Sequence, residues 1–156
     1  MQGLSNKNKY KIMTTPIDKK KILENLKNTY CRLQTSAIAG IGIFAIRDIP
    51  ENTNPFPGVK EHQWYKFSPA ELKALDPEIQ KMIYDFYVTE ADGTICVPDC
   101  ALNGMDISFF LNTSDAPNIK IAQAGVNFTT SREIKKGEEL TVAYATYDYK
   151  YKKTAR

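Results

Sequence analysis

From Val88 onward a glycine or proline interrupts the chain every few residues, at Gly93, Pro98, Gly104, Pro117, Gly125 and Gly137. Segments this short cannot repay helix nucleation, which takes roughly 12 residues or more. They suit small strands instead, and residues 94–97, 119–122, 126–130 and 140–144 read as four of them. Upstream, residues 32–49 are rich in β-branched residues and broken at Gly40 and Gly42, which predicts two short strands joined through a glycine turn.

Helices are few and locally signalled. Ser68-Pro69-Ala70-Glu71 places an N-cap serine, a proline at the first helical position and a glutamate that closes a capping box. Leu72 and Leu75 form the apolar face of that helix. Asp76-Pro77 opens a second one, with Ile79, Met82, Ile83 and Phe86 at core spacing. A looser apolar pattern predicts a helix over 17–30, and the prolines of 50–58 make that stretch a loop. Trp64, in the linker before the helices, is expected in the core. Strands and helices do not alternate, which disfavours a doubly wound nucleotide-binding fold. With 156 residues, 42% hydrophobic and 25% charged, the chain has the makings of one globular domain, mainly β with short helices. The expected organisation is a flexible basic leader over 1–16, a single domain over 17–149 and a basic C-terminal tail over 150–156.

The net charge of +3 conceals a segregation: +5 over residues 1–30, −5 over 31–146 and +3 over 147–156. A cleft in the acidic middle would favour a cationic substrate, and the basic ends would serve nucleic acid or stay solvated. Cys31, Cys96 and Cys100 with the lone His62 lack the spacing of a zinc site, so no metal is expected. No apolar stretch approaches the roughly 20 residues of a membrane span, and no secretory signal stands at the N-terminus. An intracellular location is the expectation, cytoplasmic in a bacterium and cytoplasmic or nuclear in a eukaryotic cell.

Three segments carry the chemistry. Ala39-Gly40-Ile41-Gly42-Ile43 has paired glycines that leave main-chain groups free to grip a ligand. Phe110-Leu111-Asn112-Thr113-Ser114-Asp115-Ala116-Pro117-Asn118 is a polar run entered from an apolar one, and by itself reads as a turn. Glu138-Glu139-Leu140-Thr141-Val142-Ala143-Tyr144 is a strand running into tyrosine, followed by Tyr147, Tyr149 and Tyr151 at every second position, the pattern of a strand with one aromatic face.

In this order the three segments resemble the SET-domain lysine methyltransferases, over roughly residues 30–149, and most closely the small stand-alone members of bacteria and some viruses. The resemblance implies a β-clip fold of small curled sheets with a C-terminal pseudo-knot, and S-adenosylmethionine as cofactor. It assigns the cofactor's methionine end to Gly40, Ile41 and Gly42, a side-chain contact to Asn112, and an adenine contact to the backbone of Thr113. Tyr144 is implied as the catalytic-site tyrosine. Val142, Tyr147 and Tyr149 are implied at the lysine channel, with Tyr147 or Tyr149 lining it or covering the adenine. Two positions depart from the family pattern. Thr113 stands where the family has histidine, and Glu51-Asn52-Thr53-Asn54 replaces a glycine, asparagine being the best non-glycine residue for a positive φ.

The implied function is methylation of a lysine in a basic, histone or histone-like protein segment. Displacement from a sulfonium by an amine needs alignment and a neutral nucleophile rather than a metal. An aromatic-walled channel would favour the neutral form of a lysine whose ordinary pKa is about 10.4. The alternative is a degenerate SET module that binds peptide, cofactor or nucleic acid without turnover.

Overall fold

The computed structural model describes residues 16–122 and 127–152. Residues 1–15 of the expected leader and 153–156 of the expected tail lie outside the described residues. Helix α1, Pro16–Lys27, occupies most of the stretch expected to be helical, but its Ile22, Leu23 and Leu26 are all more than half exposed. Their spacing marks a helix without marking a core face. Its end is tied to the body by Arg47, which donates to the Lys27 carbonyl and lies 4.4 Å from the centre of the Tyr30 ring.

Strands β1, Cys31–Thr35, and β2, Ile41–Ala45, form the expected antiparallel hairpin, with Cys31 opposite Ala45 and Thr35 opposite Ile41. Only Gly40 serves the turn, at φ +44°, and Gly42 sits inside β2. The proline-rich stretch after β2 is a loop, held by the buried Thr130. The Thr130 hydroxyl donates to the Pro50 carbonyl at 2.7 Å and accepts from the Thr53 amide at 2.9 Å. Asn52 takes φ +59° there, the left-handed conformation that asparagine tolerates.

A second, smaller unit follows. Strand β3, Trp64–Phe67, was not expected; its alternation is too short and too polar to stand out from a linker. Helix α2, Pro69–Leu72, has the capping box in full, with the Ser68 amide donating to Glu71 Oε2 at 2.7 Å. Helix α3, Pro77–Phe86, is capped by Asp76, which accepts from the Glu78 amide at 2.9 Å. Of its expected core residues only Ile83 is buried and Phe86 half-buried, whereas Ile79 and Met82 are exposed, as is Leu75 between the helices. Two short helices present too little surface to cover both their apolar faces, and Tyr87, one residue past α3, takes the fully buried place. Strands β4, Val88–Thr89, and β5, Ile95–Pro98, complete a three-stranded sheet in the order β3-β5-β4. Trp64 packs against its core as expected.

His62 closes this unit, with Nδ1 and Nε2 each 3.1 Å from a carboxylate oxygen, of Asp99 and Asp106 respectively. Burial opposes a charge on the imidazole, but the hydrogen bonds to Asp106 and Asp99 prevail and raise its pKa.

After a 3-10 turn, Ile107–Phe110, come β6, Asn112–Thr113, β7, Ile119–Ala122, β8, Asn127–Thr130, and β9, Glu139–Val142. Strands β7 and β8 pair with each other; Val126, expected at the start of β8, lies outside the described residues. The principal sheet has the order β1-β2-β9-β6, antiparallel except for β6 with β9. The last strand stops at Val142, short of the expected Tyr144. Tyr144–Thr146 and Tyr149–Tyr151 are 3-10 turns, so the alternating tyrosines do not form a strand face. The Tyr144 carbonyl accepts from both the Tyr147 and Asp148 amides, at 3.1 and 2.8 Å, and the backbone closes on itself.

The main core gathers Ile43, Ile49, Leu111, Ile134, Leu140 and Val142, among others, and the smaller core Ile83, Tyr87 and Ile95. Phe86 meets Phe110 edge-on at 5.8 Å between them. Leu140→Ala should cost about 2–5 kcal/mol by urea denaturation. Asn52→Ala should cost about 1 kcal/mol by the same measurement, and Asn52→Gly close to nothing.

Candidate active site

Strand β9 is where the three motifs meet. On one side Ile43 stands opposite Leu140, and on the other Asn112 and Thr113 pair in parallel with Thr141 and Val142. The Asn112 amide nitrogen lies 3.1 Å from the Ala39 carbonyl, 3.3 Å from that of Ile41 and 2.9 Å from Glu139 Oε1. It stitches the glycine segment to β6 and β9. Its Oδ1 has no hydrogen-bond donor among the described residues.

Gly42 leaves room for the Glu139 carboxylate at this junction. A Cβ there would collide with Glu139 Oε1 and lie 3.0 Å from Asn112 Nδ2. A Cβ on Gly40, by contrast, would meet nothing within 4 Å, so the strand approach to the junction is open space. The Ser36 hydroxyl also donates to Glu139, its oxygen lying 2.8 and 2.9 Å from the two carboxylate oxygens.

Thr113, at the histidine position, accepts through Oγ1 from the Tyr144 amide at 3.1 Å. The Tyr144 hydroxyl in turn donates to the Leu111 carbonyl. Both ends of Tyr144 are thus fixed by the residues flanking Asn112. Burial, with Tyr151 and Asp148 nearby, pushes the Tyr144 phenol up to about 12. A phenol that holds its proton and has committed it to a carbonyl is a poor base, but its oxygen lone pairs remain acceptors.

The Tyr144 ring has two aromatic neighbours, Tyr147 at 6.1 Å and Tyr151 at 4.9 Å. Burial, then Tyr144 and Asp148, drive the Tyr147 phenol still higher. Burial, Asp148 and Asp85 raise that of Tyr151. The cluster is therefore aromatic, neutral and edged by carboxylates.

Residues 40–145 match the SET domain, well over half of the chain. The chain is a SET-domain protein. Its small curled sheets with few short helices are those of a SET fold. SET-domain proteins are in general methyltransferases that use S-adenosylmethionine. Among solved structures, one similar to this chain is that of a proposed histone methyltransferase of Plasmodium falciparum, at 15% sequence identity and a TM-score of 0.46, covering 74% of this chain and 93% of the other. No curated protein matches the chain.

Of the residues expected at the site, Gly40, Ile41, Gly42, Asn112, Thr113 and Tyr144 come together in this SET domain, and Tyr147 stands beside Tyr144. Val142 pairs with Thr113 in the sheet but is itself buried in the main core with Leu140 and Leu111, and Tyr149 is exposed with Lys152 over its ring at 5.8 Å. Three residues escaped the sequence reading. Tyr151, rather than Tyr149, stands against the Tyr144 ring, because two successive 3-10 turns coil a segment that the alternating pattern would have extended. Glu139 lies on the strand motif itself, but its contact with Gly42 spans 97 positions and leaves no local mark. Asn118, 3% exposed, donates to the Glu139 carbonyl and accepts from the Thr141 amide, both at 2.8 Å, so its side chain serves β9 as a strand neighbour would.

The described residues hold no group of three or more His, Cys, Asp or Glu arranged for a metal ion, and no helix among them is long and apolar enough to cross a membrane. Burial raises the thiols of Cys31 and Cys96, to about 12 and 11.

The Gly42 contact is testable by a double-mutant cycle. Gly42→Ala should destabilise by about 1–3 kcal/mol in urea melts, and by at most half that in a Glu139→Ala background. The tyrosines give a pH signature. Tyr144 and Tyr87 are both pushed up to about 12, against about 10 for an unfolded tyrosine. The folded state holds these protons longer, so their contribution is complete below pH of about 10 and is lost as the pH rises through about 12. The urea midpoint should fall across that window, and fall less steeply in Tyr144→Phe.

Proposed function

We propose that this chain is an S-adenosylmethionine-dependent protein-lysine N-methyltransferase acting on a lysine in a basic, histone or histone-like protein segment. The observation that carries this reading is the junction itself. Asn112 holds the Ala39–Ile41 carbonyls, while Thr113 and Leu111 hold Tyr144 at both ends, which joins three segments far apart in sequence at one point. The threading of the asparagine segment beneath the C-terminal one as a pseudo-knot belongs to the same reading.

The residues fit the cofactor. Open space at Gly40, the exposed Gly40 and Ile41, and an Asn112 Oδ1 with no donor among the described residues offer a site for a zwitterionic amino-acid end. When bound, the cofactor supplies a methyl group activated by an adjacent sulfonium. Asn112 would accept from its ammonium, and the backbone of Thr113 would meet the adenine. Thr113 does part of a positioning task through its hydroxyl, which fixes the Tyr144 amide. The Tyr144 oxygen would accept a hydrogen bond from the lysine amine and so aim the nitrogen lone pair, with Tyr147 and Tyr151 as walls. These walls disfavour the ammonium form by desolvation. Aromatic faces also accommodate a methylated ammonium. The −5 balance of residues 31–146 favours approach of a cationic segment.

Calorimetric titration with S-adenosylmethionine tests the reading. Affinity on the order of micromolar should weaken at least about tenfold in Asn112→Ala, with a thermal melt to show that the variant is folded. Tyr144→Phe should bind normally and lose about 100-fold or more in methyl transfer to a basic peptide. No heat and no thermal stabilisation by the cofactor would overturn the reading. Binding without transfer would leave the degenerate module.

A further inference from the structure

Lys150 looks, in the sequence, like the first residue of a solvated basic tail. In the structure its side chain is 7% exposed. The ammonium has three donors and three acceptors meet it: the carbonyls of Tyr84 and of Tyr87, the latter at 2.8 Å, and Asp148 Oδ2 at 3.2 Å. The two carbonyls terminate α3, whose own last turn carries no basic residue. Helix C-termini leave carbonyls unpaired and carry a partial negative charge, so a cation there is doubly favoured. Asp148, itself buried, secures the other side by accepting from the Thr89 amide at 3.1 Å and the Lys150 amide at 3.2 Å.

The same ammonium lies 4.9 Å from the centre of the Tyr84 ring and 5.3 Å from that of Tyr151, and the Tyr151 ring is 4.9 Å from Tyr144. A continuous path of contacts therefore runs from the end of α3 through Lys150 and Tyr151 to Tyr144. We propose that Lys150 is a positioning residue: with Asp148 it latches the segment 144–151 onto the end of α3 and so holds Tyr151 and Tyr144 in place as the walls of the lysine channel. This rests on the methyltransferase reading. The latch is internal to the chain, and it lets a short aromatic segment without a sheet neighbour keep a fixed shape.

The test compares the full chain with Lys150→Met, which keeps length and removes charge, and Lys150→Arg, which restores the cation. Three quantities are read: hydrogen exchange over 143–152, calorimetric affinity for S-adenosylmethionine, and methyl transfer to a basic lysine peptide. In Lys150→Met the amides of Asp148, Tyr151 and Lys152 should exchange at least about tenfold faster. Transfer kcat should fall by about 100-fold, while cofactor affinity and peptide KM change by less than about threefold. Lys150→Arg should recover part of both losses. Unchanged exchange, or unchanged kcat in a loosened segment, overturns the proposal. If the unaltered chain transfers no methyl group, the methyltransferase reading falls instead and exchange alone decides whether the latch exists. Should Lys150→Met not melt cooperatively, Asp148→Asn, which keeps shape and removes the counter-charge, is read by the same criteria.

Discussion

Strand β9 is paired along both edges, and everything near the site depends on that. Its first half takes β2 as neighbour, its second half takes β6, and the Asn118 side chain supplies further bonds at Glu139 and Thr141. Leu140 and Val142 anchor it in the main core with essentially no exposure. A strand held this way is a rigid reference, and residues at its ends inherit that rigidity. Glu139 at one end braces the glycine segment through Asn112 and Ser36. Tyr144, just past the other end, is fixed by Thr113 and Leu111.

The histidine-to-threonine change acquires a physical meaning in this setting. A threonine lacks an imidazole, but its hydroxyl can accept a hydrogen bond, and here it accepts from the Tyr144 amide. Asparagine at 112 is a structural residue in its own right, since its nitrogen lies within hydrogen-bond distance of two carbonyls and a carboxylate, so any effect of Asn112→Ala is interpretable only beside a measure of folding.

The aromatic cluster is built with little material. Tyr144, Tyr147 and Tyr151 lie within eight residues, yet turns rather than a strand bring two of them to the third. Burial raises all three phenols, Tyr151 adds to the shift of Tyr144 and both of these to that of Tyr147, and the cluster stays neutral across the physiological range.

Local chemistry made much of this legible in the sequence. The capping box at Ser68, the N-cap at Asp76, the hairpin around Gly40 and the positive φ at Asn52 are decided by a few neighbouring residues, and the glycine, asparagine and tyrosine motifs identify the family in the order in which they occur. What the sequence could not reveal depended on partners distant along the chain. Whether Ile79 or Tyr87 is buried depends on how many faces the second unit can cover. Tyr151 rather than Tyr149 reaches Tyr144 because the segment coils. Lys150 and Glu139 read as ordinary surface charges, since their partners at α3 and in the glycine segment lie more than 60 positions away. Sequence alone determined the capped helices, the glycine hairpin and the motifs they flank, because those rest on short-range hydrogen bonding and backbone preference. Only the tertiary structure decided which charges are buried and which rings touch, because burial and long-range pairing belong to the assembled fold and to no single segment.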